Sequence, residues 1–137
     1  MRKSRGNLMY KRVLVPVDGS EIADRALDEA ITLTKGHPVE LKIVFIGDDD
    51  ENSREVIELA MTRAVNAGLR PESGLLGKFE TEEIADVILQ EAREWAADVI
   101  VMGTHGRRGV AHMILGSVTE GVIRASPVPV LVIRGLN

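Results

Sequence analysis

The chain has 137 residues, enough for one domain around a single buried core, and its 45% hydrophobic and 28% charged residues are the balance of a globular protein. Aromatic residues make up only 3%, so the core must be built from Val, Ile, Leu and Ala, and the stacking platforms that single-stranded nucleic acid requires are missing. A net charge of −4 gives no general attraction to phosphate backbones or anionic membranes, and the lack of cysteine rules out disulfides, thiolate nucleophiles and zinc–thiolate sites.

Basic residues crowd the start at Arg2, Lys3, Arg5, Lys11 and Arg12. No long apolar run follows them, so residues 1–9 are expected to be a short disordered basic arm, neither signal peptide nor membrane anchor. One domain is then expected over residues 10–137, in a cytoplasmic protein with neither nucleic acid nor membrane as a partner.

The apolar run Arg12–Asp18 stops at the turn signal Asp18-Gly19-Ser20 and predicts a buried first strand. Ala23, Ala26, Leu27, Ala30 and Ile31 then recur at helical spacing, with Ser20 as the expected cap and Gly36 and Pro38 as the stop. Val39–Ile46 predicts the second strand, and a helix opened by Asn52 or Ser53 runs through Val56, Leu59, Ala60 and Ala64 to Gly68. Leu69–Leu76 is a weaker third strand, whose Pro71 favours a sheet edge. Thr81, followed by Glu82 and Glu83, is the expected cap of a third helix carrying Ala85, Ile88, Leu89 and Ala92. Asp98–Gly103 predicts the fourth strand, Ser117–Arg124 the last helix, and Val128–Ile133 the final strand. Strands alternating with helices imply an α/β fold, a doubly wound five-stranded parallel sheet in the order 3-2-1-4-5 with helices on both faces. Ligands of such sheets sit at the carboxyl ends of the strands, where the strand order reverses.

The chemistry concentrates after the fourth strand, where four glycines fall within the fourteen residues from Gly103 to Gly116. Such a loop approaches a ligand closely and offers backbone N–H groups to an anion, although glycines before a helix also make an ordinary turn. Ser117-Val118-Thr119-Glu120 has the pattern of a capping box, and a helix start is a natural phosphate site. Arg107 and Arg108 add charge-assisted donors. His105 is either a phosphate contact or a turn residue. Asp18, at the carboxyl end of the first strand, either takes ribose hydroxyls or a water-bridged magnesium ion, or else opens the turn before the first helix.

The spacing Gly103-x2-Gly106-x9-Gly116-Ser117, together with Val13–Ser20, Val99–Gly103 and Pro127–Val132, resembles the ATP-binding universal stress proteins over nearly the whole chain after residue 9. The resemblance implies an adenine nucleotide alpha hydrolase-like fold that binds ATP, or AMP or ADP, with magnesium. It implies that Pro16, Val17 and Asp18 line the adenosine, with Asp18 on the ribose, and that Ile46 packs beside adenine. Met102 and Gly103 line the pocket in that comparison, while Gly106, Gly116, Ser117 and Val118 meet the phosphates; Arg107 is added here from its charge and position. The resemblance also implies a homodimer through the last strand, an apolar edge suited to pairing with another copy and partly guarded by Pro127 and Pro129.

The sequence contains no P-loop of the Gly-x4-Gly-Lys type, no Gly-x-Gly-x-x-Gly fingerprint, no His-Glu-x-x-His and no nucleophile elbow. Asp48–Asn52 fails as a calcium loop, because Ser53 and Leu59 stand where glycine and glutamate are needed. Three functions stay open: a regulatory protein of the stress response that captures a protein partner according to its nucleotide, a slow ATPase or phosphotransferase, and an interaction module that ignores nucleotide.

Overall fold

The computed structural model describes residues 10–104 and 116–134, so the basic arm over 1–9 and the stretch 105–115 lie outside it. Along the chain come β1 Arg12–Pro16, α1 Glu21–Thr34, β2 Glu40–Ile46, α2 Glu51–Asn66, β3 Glu72–Leu76, α3 Ile84–Trp95, β4 Val99–Gly103, α4 Ser117–Ala125 and β5 Val130–Ile133. All strand pairs are parallel, in the order β3-β2-β1-β4-β5 expected from the sequence.

Alternation along each strand divides the core in two. Val13 and Val15 of β1, Leu41 and Ile43 of β2, and Val99 and Val101 of β4 face α1 and α2. Leu14, Val44, Ile100 and Met102 face α3 and α4. The central strands are thus buried on both sides, which is why they read as unbroken apolar runs. Burying a Val, Leu or Ile in this way contributes roughly 1.5–3 kcal/mol relative to exposure. The stripe Ala23, Ala26, Leu27, Ala30 and Ile31 buries α1 on its face of the sheet, as its spacing predicts.

The helix starts fall where local hydrogen bonds place them. Ser20 caps α1, its Oγ accepting from Ala23 N at 3.2 Å. Asn52 and Ser53 do not open α2; Asp50 does, its Oδ1 accepting from Ser53 N at 2.8 Å, and Ser53 is buried in the first turn. Thr81 does not cap α3 either: Glu83 is the cap, and Asp86 Oδ2 accepts from Glu83 N at 3.1 Å. Strand ends are shorter than the apolar runs. The third strand begins at Glu72, leaving Pro71 just outside an edge strand, and the last begins at Val130, because Val128 N donates to Ser126 Oγ at 3.1 Å in a turn.

Asp50 has its pKa lowered, above all by the backbone N–H of Ser53, so its contribution to stability is present above the ordinary carboxylate range and is lost as pH falls through the lowered pKa. Asp50→Ala should be less stable than wild type at neutral pH and Asp50→Asn closer to it, with the gap to Ala narrowing below about pH 4. Urea unfolding across pH checks this.

Candidate functional site

At the carboxyl end of the sheet, where the strand order reverses between β1 and β4, the ends of these two strands line a cleft. Pro16, Val17, Asp18 and Ser20 form one side, with Ile22 and Ala23 from the first turn of α1. Met102, Gly103 and Thr104 end β4 opposite them, Ile46 closes the β2 side, Ile84 and Ile88 come from α3, and Val118 and Thr119 from the first turn of α4. The cleft holds about 630 Å³ of empty space, the open solvent at its mouth included.

Each wall has a local cause. Val17 lies past the end of β1 but still donates its N–H to Val44 O at 2.8 Å, which keeps the β1–α1 turn against β2. Asp18 is exposed, and its Oδ1 accepts from Ser20 N at 2.9 Å. This is the turn-opening role read from the sequence, and it leaves the other carboxylate oxygen for a ligand. Gly103 is set by crowding rather than by a turn: a Cβ there would lie 2.6 Å from Ile22 Cγ1 and 2.9 Å from Ile22 O. Only glycine lets the end of β4 come this close to the start of α1.

The electrostatics come from backbone. Among the described lining residues Asp18 is the one ionisable side chain. Gly116, not Ser117, is the N-cap of α4, and no side chain caps the helix, so the expected capping box is absent. Glu120 instead pairs with Arg124 at 3.2 Å, one turn on, and its N–H bonds Gly116 O at 2.9 Å. The N–H groups of Ser117, Val118 and Thr119 precede the first intrahelical bond and sit at the positive end of the helix dipole. An anion is the natural complement of such a helix start.

Of the residues singled out in the sequence, Pro16, Val17, Asp18, Ile46, Met102, Gly103 and Val118 line this one cleft. Gly116 and Ser117 begin the helix beside it without lining it. His105, Gly106 and Arg107 lie outside the described residues. Sequence reasoning passed over Ile22, Ile84, Ile88, Thr104 and Thr119. The isoleucines carry only a helical core signal, and Thr119 has no local signal for its bond to Gly103 O at 2.9 Å. Among the described residues no cluster of three His, Cys, Asp or Glu side chains could hold a metal ion by itself, and no helix is long and apolar enough to cross a membrane.

Residues 9–134 match the family model described as the universal stress protein family. Universal stress protein MJ0531 of Methanocaldococcus jannaschii is 32% identical over 144 residues, covering 94% of this chain and 85% of the relative. Among solved structures, hypothetical protein MJ0577 superposes with a TM-score of 0.81 at 26% identity, covering 94% of this chain and 99% of its own. A universal stress protein solved in complex with cAMP gives a TM-score of 0.76 at 28% identity, over 91% of this chain and 97% of its own.

The crowding at Gly103 has a direct test. Gly103→Ala should lose about 1–3 kcal/mol in urea unfolding, because the methyl meets the backbone of Ile22 and not just a flexible side chain. Gly77→Ala, where an added Cβ meets nothing within 4 Å, should stay within about 0.5 kcal/mol of wild type.

Proposed function

The chain belongs to the universal stress protein family, and on that premise we propose that it binds an adenine nucleotide, ATP with AMP or ADP as weaker occupants, in the cleft between β1 and β4. The nucleotide acts as an effector that changes which surface is offered to a regulatory protein partner. The observation that carries this reading is the make-up of the cleft among the described residues: apolar walls, a single carboxylate at the rim, and an uncapped helix start beside them. The likeness to a universal stress protein solved with cAMP supports a nucleotide as the occupant.

In this reading adenine lies between Ile46 and the Pro16–Val17 segment, Asp18 accepts from the ribose, and Met102 and Gly103 form the floor. The phosphates run to Gly116, Ser117 and Val118, joined by Gly106, Arg107 and His105. The donor set suits a magnesium ion carried by the phosphates, since one carboxylate and a few hydroxyls fit a cation that keeps most of its waters. Magnesium would neutralise phosphate charge there, with Asp18 reached through water.

Binding without efficient turnover is in keeping with how the described hydroxyls are used. Ser20 Oγ accepts from Ala23 N and Thr119 Oγ1 donates to Gly103 O, so neither is paired with a base. Hydrolysis needs a positioned water or base near the terminal phosphate, and the described lining residues offer only Asp18. We place the protein in the cytoplasm, in keeping with a cysteine-free chain.

β5 is an edge strand with Leu131 38% exposed, and we infer a homodimer paired along Val130–Ile133, within the run 128–133 marked out in the sequence.

Calorimetric titration of nucleotide-stripped protein with Mg-ATP should give saturable heat, with Asp18→Ala weakening affinity at least tenfold, the scale of a lost charge-assisted hydrogen bond. No heat and no thermal shift would leave the interaction-module reading, whereas steady phosphate release lost in Asp18→Ala would support the ATPase reading. Light scattering at micromolar concentration should give twice the 14.9 kDa chain mass, and Leu131→Asp should halve it; a monomeric wild type would refute the dimer.

A further inference from the structure

Thr119 is 2% exposed and stands in the first turn of α4, where a threonine hydroxyl ordinarily bonds within its own helix or to water. Its Oγ1 instead crosses to the sheet and donates to Gly103 O at 2.9 Å. Two residues on, Gly121 lies so close to α3 that an added Cβ would be 2.9 Å from Ala85 Cβ. The two contacts pin the start of α4 from different sides, one to the end of β4 and one to α3.

We propose that Thr119 is a positioning residue for phosphate: its tether to Gly103 sets the depth at which the first-turn N–H groups of α4 meet the phosphates of the bound nucleotide. The proposal rests on the adenine-nucleotide reading and adds to it a division of the site. Hydrogen bonds weaken steeply once donor and acceptor separate from about 2.9 to 3.5 Å, so a helix start helps an anion only if it is held at the right depth. The nucleoside end is walled by Pro16 at the end of β1, Val17 just past it and Ile46 at the end of β2, none of which takes part in the tether, while Gly103 in the floor is held in β4 by its pairing with Ile133 of β5. Affinity for phosphate therefore depends on Thr119, and affinity for the nucleoside does not.

The test is calorimetric titration of the full chain with adenosine and with Mg-ATP for wild type, Thr119→Val and Thr119→Ser. Val keeps the shape and removes the donor, and Ser keeps the donor. The expected result is a loss of about tenfold for Mg-ATP with adenosine within twofold in Thr119→Val, and recovery of Mg-ATP binding in Thr119→Ser. An equal loss for both ligands would reduce Thr119 to a fold contact, and unchanged Mg-ATP binding would also overturn the proposal. Gly121→Ala, which pushes α4 away from α3, should give the same split, and it carries the test if Thr119→Val does not fold. Failure of the underlying reading is distinguishable, because wild type would then give no heat with Mg-ATP, and the proposal would fall with it.

Discussion

The geometry of the cleft depends on how closely Gly103 is packed against Ile22. At that one residue the end of β4 meets the first turn of α1, with no room for a Cβ. Its carbonyl accepts from Thr119, and the next residue, Thr104, donates its N–H to Ile133 O at 2.9 Å. The glycine thus joins α1, α4 and β5 below the cleft. A side chain there would have to separate segments whose distance is set by strand pairing on both sides of β4, since that strand is paired with β1 and β5.

A cleft built this way can complement an anion without a cationic side chain among its described walls. The field comes from N–H groups at the start of a helix, which are fixed in direction and need little reorganisation when a charge arrives. The apolar walls make the complementary contribution, since Ile22, Ile46, Ile84, Ile88 and Met102 give a flat hydrophobic group somewhere to leave water. A ligand with an apolar ring at one end and phosphate at the other matches both. The two meanings that Asp18 had in the sequence are compatible for the same reason: one oxygen closes the Asp18–Ser20 turn, and a carboxylate has acceptor capacity beyond that.

Much of the architecture was legible because its signals are periodic. Central strands buried on both faces appear as unbroken runs such as Val13–Val15, and α1 announces itself by the spacing from Ala23 to Ile31. The helix starts were less legible. Asp48-Asp49-Asp50-Glu51-Asn52-Ser53 offers several residues able to cap, and the choice of Asp50 follows from burial of Ser53, a tertiary fact. Thr81 lost to Glu83 in the same way, since Lys78 and Glu82 close the preceding turn through Phe79 N to Glu82 Oε1 at 2.7 Å and Lys78 Nζ to Glu82 O at 2.9 Å. In the cleft, glycine spacing and strand ends pointed to residues that the fold brings together, and Gly103, read as room for a ligand, also makes room for Ile22. Thr119 and Gly121 were invisible because their partners, Gly103 and Ala85, are distant in sequence and chosen by packing.

The opposite end of the sheet is held by contacts of a different kind. There Asp98 Oδ2 accepts from both Lys11 N at 2.8 Å and Arg12 N at 2.9 Å, tying the start of β1 to the start of β4. Lys42, on the face of β2 that also carries Val44 and Ile46, reaches Glu91 of α3 at 2.6 Å, with the side chains only 17% and 12% exposed. A pair so withdrawn from water is costly to break from one side, because the remaining charge would be stranded. Trp95 packs between these elements, with the Arg12 guanidinium 4.5 Å and the Lys42 ammonium 5.9 Å from its ring centre. Cations over an indole face add attraction without needing its N–H, which is buried with no partner among the described residues. The amino end of the sheet is therefore closed by charge and aromatic contacts that span β1, β2, β4 and α3. The carboxyl end instead carries Gly103, a helix start without a side-chain cap and the exposed Asp18 carboxylate, groups that suit a polar ligand more than they hold the sheet together.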